Sequence, residues 1–293
     1  MTLIAAPGIH DRLAAITDDI RSAIHAAHPP VWLSPDACDI SFTPADESAL
    51  GEARHALRSI PSNAPIDSHI QPVEGRRKRM LAADMDSTII QQECLDEVAR
   101  AAGIGPKVAA ITERAMRGEL QFEAALKERI GLLAGFAEAR LQEVLDKQIT
   151  LMPGARELVA TMRASGARTV LVSGGFDFFT TAVAKRAGFD VDYANRFIMK
   201  DGGIAGVAEP ILGHDAKLKN MQDDATFNGI GMSEVVAIGD GANDLAMLKE
   251  AGLGVAFHAK PVVAAEADVQ INHNDLTSIL YLQGYMKKEF VTE

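Results

Sequence analysis

The sequence predicts an α/β protein: a parallel sheet interrupted by a helical insertion and preceded by a small α+β module. Three observations predict it. From residue 80 onward, short apolar runs alternate with amphipathic stretches, the pattern of parallel strands joined by crossover helices. Three of those runs end in clusters of Asp, Ser and Gly. Between the first two lies a long stretch with helical periodicity and no strand-like run. A length of 293 residues suits two or three such units.

Taken in order, residues 3–6, 31–33, 39–42 and 68–73 read as strands, and 12–27 and 47–60 as helices. That order, β-α-β-β-α-β, predicts a ferredoxin-like sandwich over residues 1–75. The turn formers Ser62, Asn63 and Pro65, then the run Gly75, Arg76, Arg77, Lys78, Arg79, place a seam near 72–78, with the four basic residues as a solvated connector. Core strands are expected at 80–83, 169–172, 235–238, 253–256 and 269–271. Segments 93–102, 108–117, 122–133 and 137–147 repeat apolar positions at three- and four-residue spacing. They predict a helical cap over 91–150, and a helix at 156–164 returns the chain to the sheet. Residues 76–90 and 151–293 form the core. Strands at 196–199 and 204–207 around Lys200, Asp201, Gly202 and Gly203 predict a hairpin.

Composition narrows the function. Apolar residues are 47% and charged residues 24%, ordinary for a folded chain. A net charge of −11 disfavours nucleic acid, whose phosphates must be neutralised by Lys and Arg. Cys38 and Cys94 are too few and too far apart for a disulfide scaffold and are expected as free thiols. No run approaches the roughly 18 apolar residues of a spanning helix, and the start lacks a secretory pattern, so a cytoplasmic protein without a membrane partner is expected.

The chemistry collects where strands end. Asp84, Met85, Asp86, Ser87 and Thr88 follow the first core strand, Ser173, Gly174 and Gly175 the second, and Gly239, Asp240, Gly241, Ala242, Asn243 and Asp244 the third. In an open parallel sheet these carboxyl ends share one edge, where ligands bind. A D-x-D triplet alone is weak, turning up about once in such a length by accident. Asp190, Val191 and Asp192 are read as that accident, in a solvated turn. Other templates fail. No Gly-Lys dipeptide exists for a P-loop, Gly239–Asp244 lacks the third glycine of a dinucleotide fingerprint, and Ser173 is not in G-x-S-x-G. Ile89 and Leu95 stand where a calcium loop needs Gly and Glu. His25 and His28 lack ligand partners and read as a helix end.

Clustered Asp84, Asp86 and Asp240 repel unless a cation or proton intervenes, and hard oxygen donors without His or thiolate suit Mg²⁺. Such an ion is completed by substrate phosphate. The Ser173 hydroxyl and the N–H groups of Gly174 and Gly175 could take phosphate oxygens. Lys217 is either a charge for the same phosphate or a surface lysine.

Together these residues resemble the haloacid dehalogenase-like phosphatases, and within them those acting on phosphoserine. Asp84-Met85-Asp86-Ser87-Thr88 looks like the family's D-x-D-x-T motif, Ser173-Gly174-Gly175 the second motif, Lys217 the third and Gly239–Asp244 the fourth. The resemblance runs from about residue 79 to 285. It implies a Rossmann-like core and Mg²⁺-dependent hydrolysis of O-phosphoserine, the last step of serine synthesis. In that scheme Asp84 is the nucleophile that becomes aspartyl-phosphate and Asp86 the acid and base. The ion is held by Asp84, the backbone carbonyl of Asp86, and Asp240, with Asp244 ordering a coordinated water. Ser173, Gly174, Lys217 and Asn243 clamp the phosphoryl group. In the cap, Glu93 reads the amino group, Arg129 pairs with the carboxylate, and Met116 and Phe122 form an apolar wall, with Gly175 beside the substrate. The first 75 residues look like an ACT-type module, which leaves open an amino-acid effector there and a homodimer. Two alternatives stand beside this: a relative acting on another small phosphomonoester, such as phosphohomoserine, and a phospho-binding regulator without turnover.

Overall fold

The computed structural model describes residues 1–116 and 119–292, and the side chains of all of these except Met116 and His214. The chain opens with β1 (Thr2–Ala5), α1 (His10–Ala23), β2 (Val31–Ser34), β3 (Ala37–Asp39), α2 (Glu47–Arg58) and β4 (Ile66–His69). The four strands form an antiparallel sheet in the order β2-β3-β1-β4, with the two central strands contributed by β1 and β3. That is the order of the ferredoxin-like sandwich read from the sequence. The last two strands are displaced toward the amino end, to 37–39 and 66–69 against 39–42 and 68–73.

Every residue of β1 is buried, because both sheet faces are covered. Leu3 and Ala5 pack with Leu13, Ile16 and Ile20 of α1 and Ala53 of α2. Ile4, Leu33 and Ala37 face the other way and join the main core beside Leu276, Ile279 and Leu280. Asp67 strengthens this seam by accepting from the N–H groups of Asn272 (2.8 Å) and His273 (3.1 Å) and from Asn274 Nδ2 (2.8 Å).

The basic run at the seam is solvated only in part: Arg77 and Arg79 are exposed, but every one of the four is also paired. Arg76 pairs with Asp39 at 2.7 Å, and Arg77 reaches Glu289 at 2.8 Å while lying over the Tyr285 ring. Lys78 is buried and donates to Ser233 O at 2.8 Å, and Arg79 meets Glu234. Arg76 is paired to the amino-terminal module while Arg77, Lys78 and Arg79 have acceptors on the body that follows, so the run stitches the two parts together.

The main body continues with β5 (Met80–Ala83), then α3 (Cys94–Ala101), α4 (Gly105–Met116), α5 (Phe122–Leu132) and α6 (Glu138–Lys147), the helical insertion expected from periodicity. α7 (Ala155–Ala164) leads to β6 (Arg168–Phe176), α8 (Asp177–Ala187) and β7 (Val191–Asn195). The hairpin is β8 (Phe197–Lys200) and β9 (Gly203–Val207), turned by Asp201 and Gly202 with φ of 51° and 77°, as a two-residue turn with both centres left-handed requires. α9 (His214–Phe227), β10 (Val235–Gly239), α10 (Leu245–Glu250), β11 (Leu253–Phe257), α11 (Pro261–Ala264), β12 (Val269–Ile271) and α12 (Ser278–Leu282) complete the chain.

Six strands form a wholly parallel sheet, β12-β11-β10-β5-β6-β7. Alternation sorts its side chains: Leu81 and Ala83 enter one core with Leu158, Val159 and Phe179, while Met80 and Ala82 enter the other with Met221, Ala225 and Met247. The chain runs outward from β5 to β6 and β7, then restarts on the opposite side with β10. The order therefore switches between β5 and β10, where a crevice opens at the carboxyl ends.

Two readings change here. Val191 lies in β7, paired in parallel with β6, so Asp190-Val191-Asp192 is no solvated turn. Asp190, just before the strand, accepts from Thr169 N and Oγ1, and Asp192 within it accepts from the hydroxyls of Thr180 and Thr181, which explains why the strand tolerates a carboxylate. The second core strand also runs on past Val172 to Phe176, with its register against β7 broken between those residues. Ser173, Gly174 and Gly175 occupy that irregularity. No helix among the described residues is long and apolar enough to cross a membrane.

Candidate active site

Asp84 follows β5 and Asp240 follows β10, adjacent strands at the switch, and the Asp84 N–H extends the ladder to Ile238 O at 2.9 Å. Oxygens of Asp84, Asp240 and Asp244 lie within 4.8 Å of one another, the one such group of three potential ligands among the described residues. Asp84 and Asp244 are buried. Gly239 makes this approach possible: a Cβ there would stand 2.4 Å from Asp244 Cγ, so any side chain would expel the carboxylate.

Lys217 enters the cluster from α9, its Nζ 2.6 Å from both Asp84 Oδ1 and Asp244 Oδ1. Of its two sequence readings, the surface one fails, since it is 3% exposed. Burial alone would lower its ammonium, but Asp244 and Asp84 outweigh that and raise it. The other Asp244 oxygen accepts from Gly241 N–H at 3.0 Å. Burial, then the charge of Asp244, pushes Asp84 well above the usual carboxylate range, with Lys217 opposing. Asp240 is raised by burial and Asp244, with Lys260 and Lys217 opposing. One ammonium among so many carboxylates leaves excess negative charge in a low-dielectric pocket. Oxygen donors of this kind fit a hard divalent cation, which Asp84, Asp240 and Asp244 could hold together.

Asp86 turns the other way. Its Oδ1 accepts the backbone N–H of Cys94 at 2.8 Å, and Oδ2 accepts the Ser173 hydroxyl at 3.3 Å. Burial raises its acid, while the Cys94 bonds, Lys217 and Ser173 lower it. The carboxyl therefore sits at the first N–H groups of α3 rather than in the cation cluster. The chain between Asp86 and α3 makes this turn tightly: Ile90 N–H returns to Met85 O at 3.0 Å, and Ser87 is left-handed, with φ 55°. A non-glycine residue held there stores strain of order 1 kcal/mol, a feature that concentrates at functional sites.

Glu93 and Phe122 border this centre. Ser87 Oγ donates to Glu93 Oε1 at 2.8 Å. Although solvent reaches Glu93, protein walls surround it, and desolvation followed by the charge of Asp86 pushes it up to about 7. Arg129 donates to Ala125 O at 3.4 Å, and burial lowers its guanidinium while Asp96 and Glu93 oppose. Glu93 and Arg129 thus share one field across α3 and α5. Phe122 covers the loop of Ser173, Gly174 and Gly175: a Cβ on Gly174 would lie 3.4 Å from its Cζ. Met116, with Arg117 and Gly118, lies outside the described residues at side-chain level.

One expectation is modified. The Gly175 N–H does not face the crevice; it donates to Ser173 Oγ at 2.9 Å, because the irregularity in β6 folds the loop back on itself. Asn243 sits against Gly241, where a Cβ would come 2.4 Å from its Oδ1. Three contributors escaped the sequence reading. Cys94 acts through its backbone N–H, a role that the predicted helix start at residue 93 could have signalled. Lys260 bonds Asp240 O through its N–H at 3.2 Å, and Asn195 bonds Gly174 O at 2.9 Å. Neither carries a local motif.

The arrangement can accept a phosphoryl group on a carboxylate, protonate a leaving oxygen and neutralise charge. Comparison with known proteins agrees. Residues 81–249 match the family model of haloacid dehalogenase-like hydrolases. A phosphoserine phosphatase of Haemophilus influenzae is 45% identical over 204 residues, 69% of this chain and 65% of that protein, so the chain spans just under two thirds of that relative. A solved haloacid dehalogenase family hydrolase from Salmonella enterica superimposes with a TM-score of 0.84 at 31% identity, covering 97% of this chain and 98% of the other. A phospho-aspartyl intermediate analogue of a phosphoserine phosphatase gives 0.65 at 39% identity, covering 70% of this chain and 98% of the other. With the motifs, the switch-point crevice and these likenesses in agreement, the chain belongs to the haloacid dehalogenase-like hydrolase family.

Proposed function

We propose that the chain hydrolyses O-phospho-L-serine to L-serine and phosphate through an aspartyl-phosphate on Asp84, with magnesium as its ion. The observation that supports this is an acidic, lysine-bearing cluster with Glu93 in the field of Asp86 and Asp240, and Arg129 in turn in the field of Glu93. The cluster suits any phosphate ester. Glu93 and Arg129 suit a substrate bearing both an ammonium and a carboxylate.

In this reading the Asp84 carboxylate attacks phosphorus, forming an oxygen–phosphorus bond as the bond to the serine oxygen breaks. Asp86, its acid raised by burial, gives its proton to the leaving alkoxide, whereas Asp84, raised further by burial, depends on the Lys217 ammonium and a cation to attack as the carboxylate. Water then attacks the phosphorus, Asp86 takes its proton, and the phosphoryl group leaves Asp84. Ser173, the Gly174 N–H and Lys217 clamp the moving group, with Asn243 beside them, and Lys217 neutralises charge that grows in the transition state. Magnesium, held by Asp84, Asp240 and the Asp86 carbonyl with Asp244 ordering a water, would add further charge neutralisation. Phe122 excludes water. Within this reading the chain divides into a module of residues 1–75, a catalytic core of 76–90 and 151–293, and a cap of 91–150, and works in the cytoplasm.

The test is a phosphate-release panel with and without Mg²⁺, comparing phosphoserine, phosphothreonine, phosphohomoserine and an aryl phosphate. Phosphoserine should be preferred and its turnover should need the ion. Equal kcat/KM on all four would point to a generic phosphomonoesterase, and preference for phosphohomoserine to the alternative substrate.

A further inference from the structure

The β8–β9 hairpin leaves the core sheet at Asn195 and the chain returns at Leu212. Asn195, 2% exposed at the end of β7, closes the base of that excursion. Leu212 N–H donates to its Oδ1 at 2.7 Å, and its Nδ2 donates to Leu212 O at 3.4 Å. The same Nδ2 donates to Gly174 O at 2.9 Å. The peptide between Gly174 and Gly175 is therefore held at both ends, since the Gly175 N–H donates to Ser173 Oγ at 2.9 Å. With its oxygen accepting that bond, the Ser173 hydroxyl directs its hydrogen to Asp86 Oδ2 at 3.3 Å.

Leu212 leads directly to Gly213, where a Cβ would stand 2.8 Å from Glu123 Oε1 of the cap, and then to α9 with Lys217. The hairpin is itself bonded to the cap: Gly135 N–H to Ile204 O at 2.8 Å, Ile204 N–H to Phe136 O at 3.0 Å, and Glu138 N–H to Gly202 O at 2.9 Å. One buried carboxamide thus stands where the phosphate loop, the root of the lysine helix and the cap-bound hairpin meet.

We propose that Asn195 is a positioning residue for phosphoryl transfer, its carboxamide fixing the Gly174–Gly175 peptide, and through it Ser173, in register with the segment that carries Lys217. This rests on the phosphatase reading. Asn195 acts through Gly174 and Leu212 rather than on the substrate, so its loss should alter the chemical step and spare recognition by the cap. A misplacement of about 1 Å in such a loop can cost on the order of 100-fold in rate.

The experiment measures kcat and KM for phosphoserine and an aryl phosphate, with Mg²⁺, in the full chain and its Asn195→Ala and Asn195→Ser variants. Asn228→Ala serves as control, because the Asn228 carboxamide bonds Asp224 at the far end of α9. Both Asn195 variants should lose roughly 10- to 100-fold in kcat on both substrates, with KM for phosphoserine changed less than about threefold. Asn228→Ala should lower the thermal midpoint and leave kcat unchanged. A kcat within about twofold of the parent in either folded Asn195 variant would overturn the proposal, as would a rise in KM with kcat preserved. If neither variant folds, Asn195 serves the fold and the proposal fails. A parent chain that hydrolyses neither substrate overturns the phosphatase reading, and this proposal with it.

Discussion

Lys217 Nζ lies 2.6 Å from Asp84 Oδ1, with both side chains almost wholly withdrawn from solvent. An ammonium in that position compensates two carboxylates at once, because Asp244 is equally close. Lys217→Ala should therefore act twice. Leaving buried carboxylates unpaired should cost about 3 kcal/mol of stability. Removing charge from the phosphoryl site should lower kcat by about 10²- to 10³-fold. Urea unfolding and steady-state kinetics on the same preparation check the two effects separately.

Asp86 is oriented by the first turn of α3, through the Cys94 N–H at 2.8 Å. Asp86→Asn keeps the shape and removes the transferable proton. Turnover should fall by roughly 10²- to 10⁴-fold, the usual worth of a positioned acid and base. Magnesium affinity, measured by calorimetry, should stay near that of the parent, since the carboxylate points away from the Asp84–Asp240–Asp244 cluster. Surviving turnover would remove Asp86 from the acid/base role and favour a phospho-binding reading.

Glu93, pushed up to about 7, is ionised above that pH and neutral below it. Only the ionised form attracts a substrate ammonium. As pH falls from 8 to 6, KM for phosphoserine should rise, by up to about tenfold per pH unit below 7. An aryl phosphate, which has no ammonium, should show no such rise beyond the titration of its own phosphate. Glu93→Gln should flatten the difference between the two profiles.

Arg129 stands in the field of Glu93 and Asp96, with burial weakening its hydration. A planar guanidinium released from water is suited to a carboxylate. Arg129→Ala should raise KM for phosphoserine by about 10- to 100-fold, the range of one charged hydrogen-bonded contact, and leave an aryl phosphate nearly untouched. An equal effect on both would remove Arg129 from substrate recognition.

His69, at the end of β4, is lowered by burial to about 4, with Asp268 opposing. Between pH 6.5 and 4 the unfolded chain binds a proton that the folded chain does not. Stability is therefore lost as pH falls through that window, by about 2 kcal/mol at pH 5 from this group. His69→Gln should make urea midpoints at pH 7.5 and pH 5 converge by a corresponding amount.

The architecture was legible because periodicity survives locally. Met80–Ala83, Val235–Gly239 and Leu253–Phe257 are continuous apolar runs because helices cover both faces of the sheet, and the four cap helices carry unbroken three- and four-residue spacing. β7 escaped because Asp190, Asp192 and Asn195 mask a strand whose polar groups are satisfied by Thr169, Thr180, Thr181 and Leu212. In Arg76 to Arg79 the exposure of Arg77 and Arg79 was legible, but the burial of Lys78 and the pairing of all four depend on acceptors far away in sequence.

By itself the sequence determined the strand-end clusters, the acid types within them and hence the class of chemistry, since side-chain identity and position along a strand are local properties. Tertiary structure decided which groups meet. Lys217 became a buried partner of Asp84 only once α9 packed beside β6, and Asn195 gained its role only where the phosphate loop and Leu212 converged. The Gly175 N–H was likewise claimed by Ser173 through a local break in register. Hydrogen bonds and burial between segments distant along the chain depend on folded geometry, which residue type and spacing do not encode one position at a time.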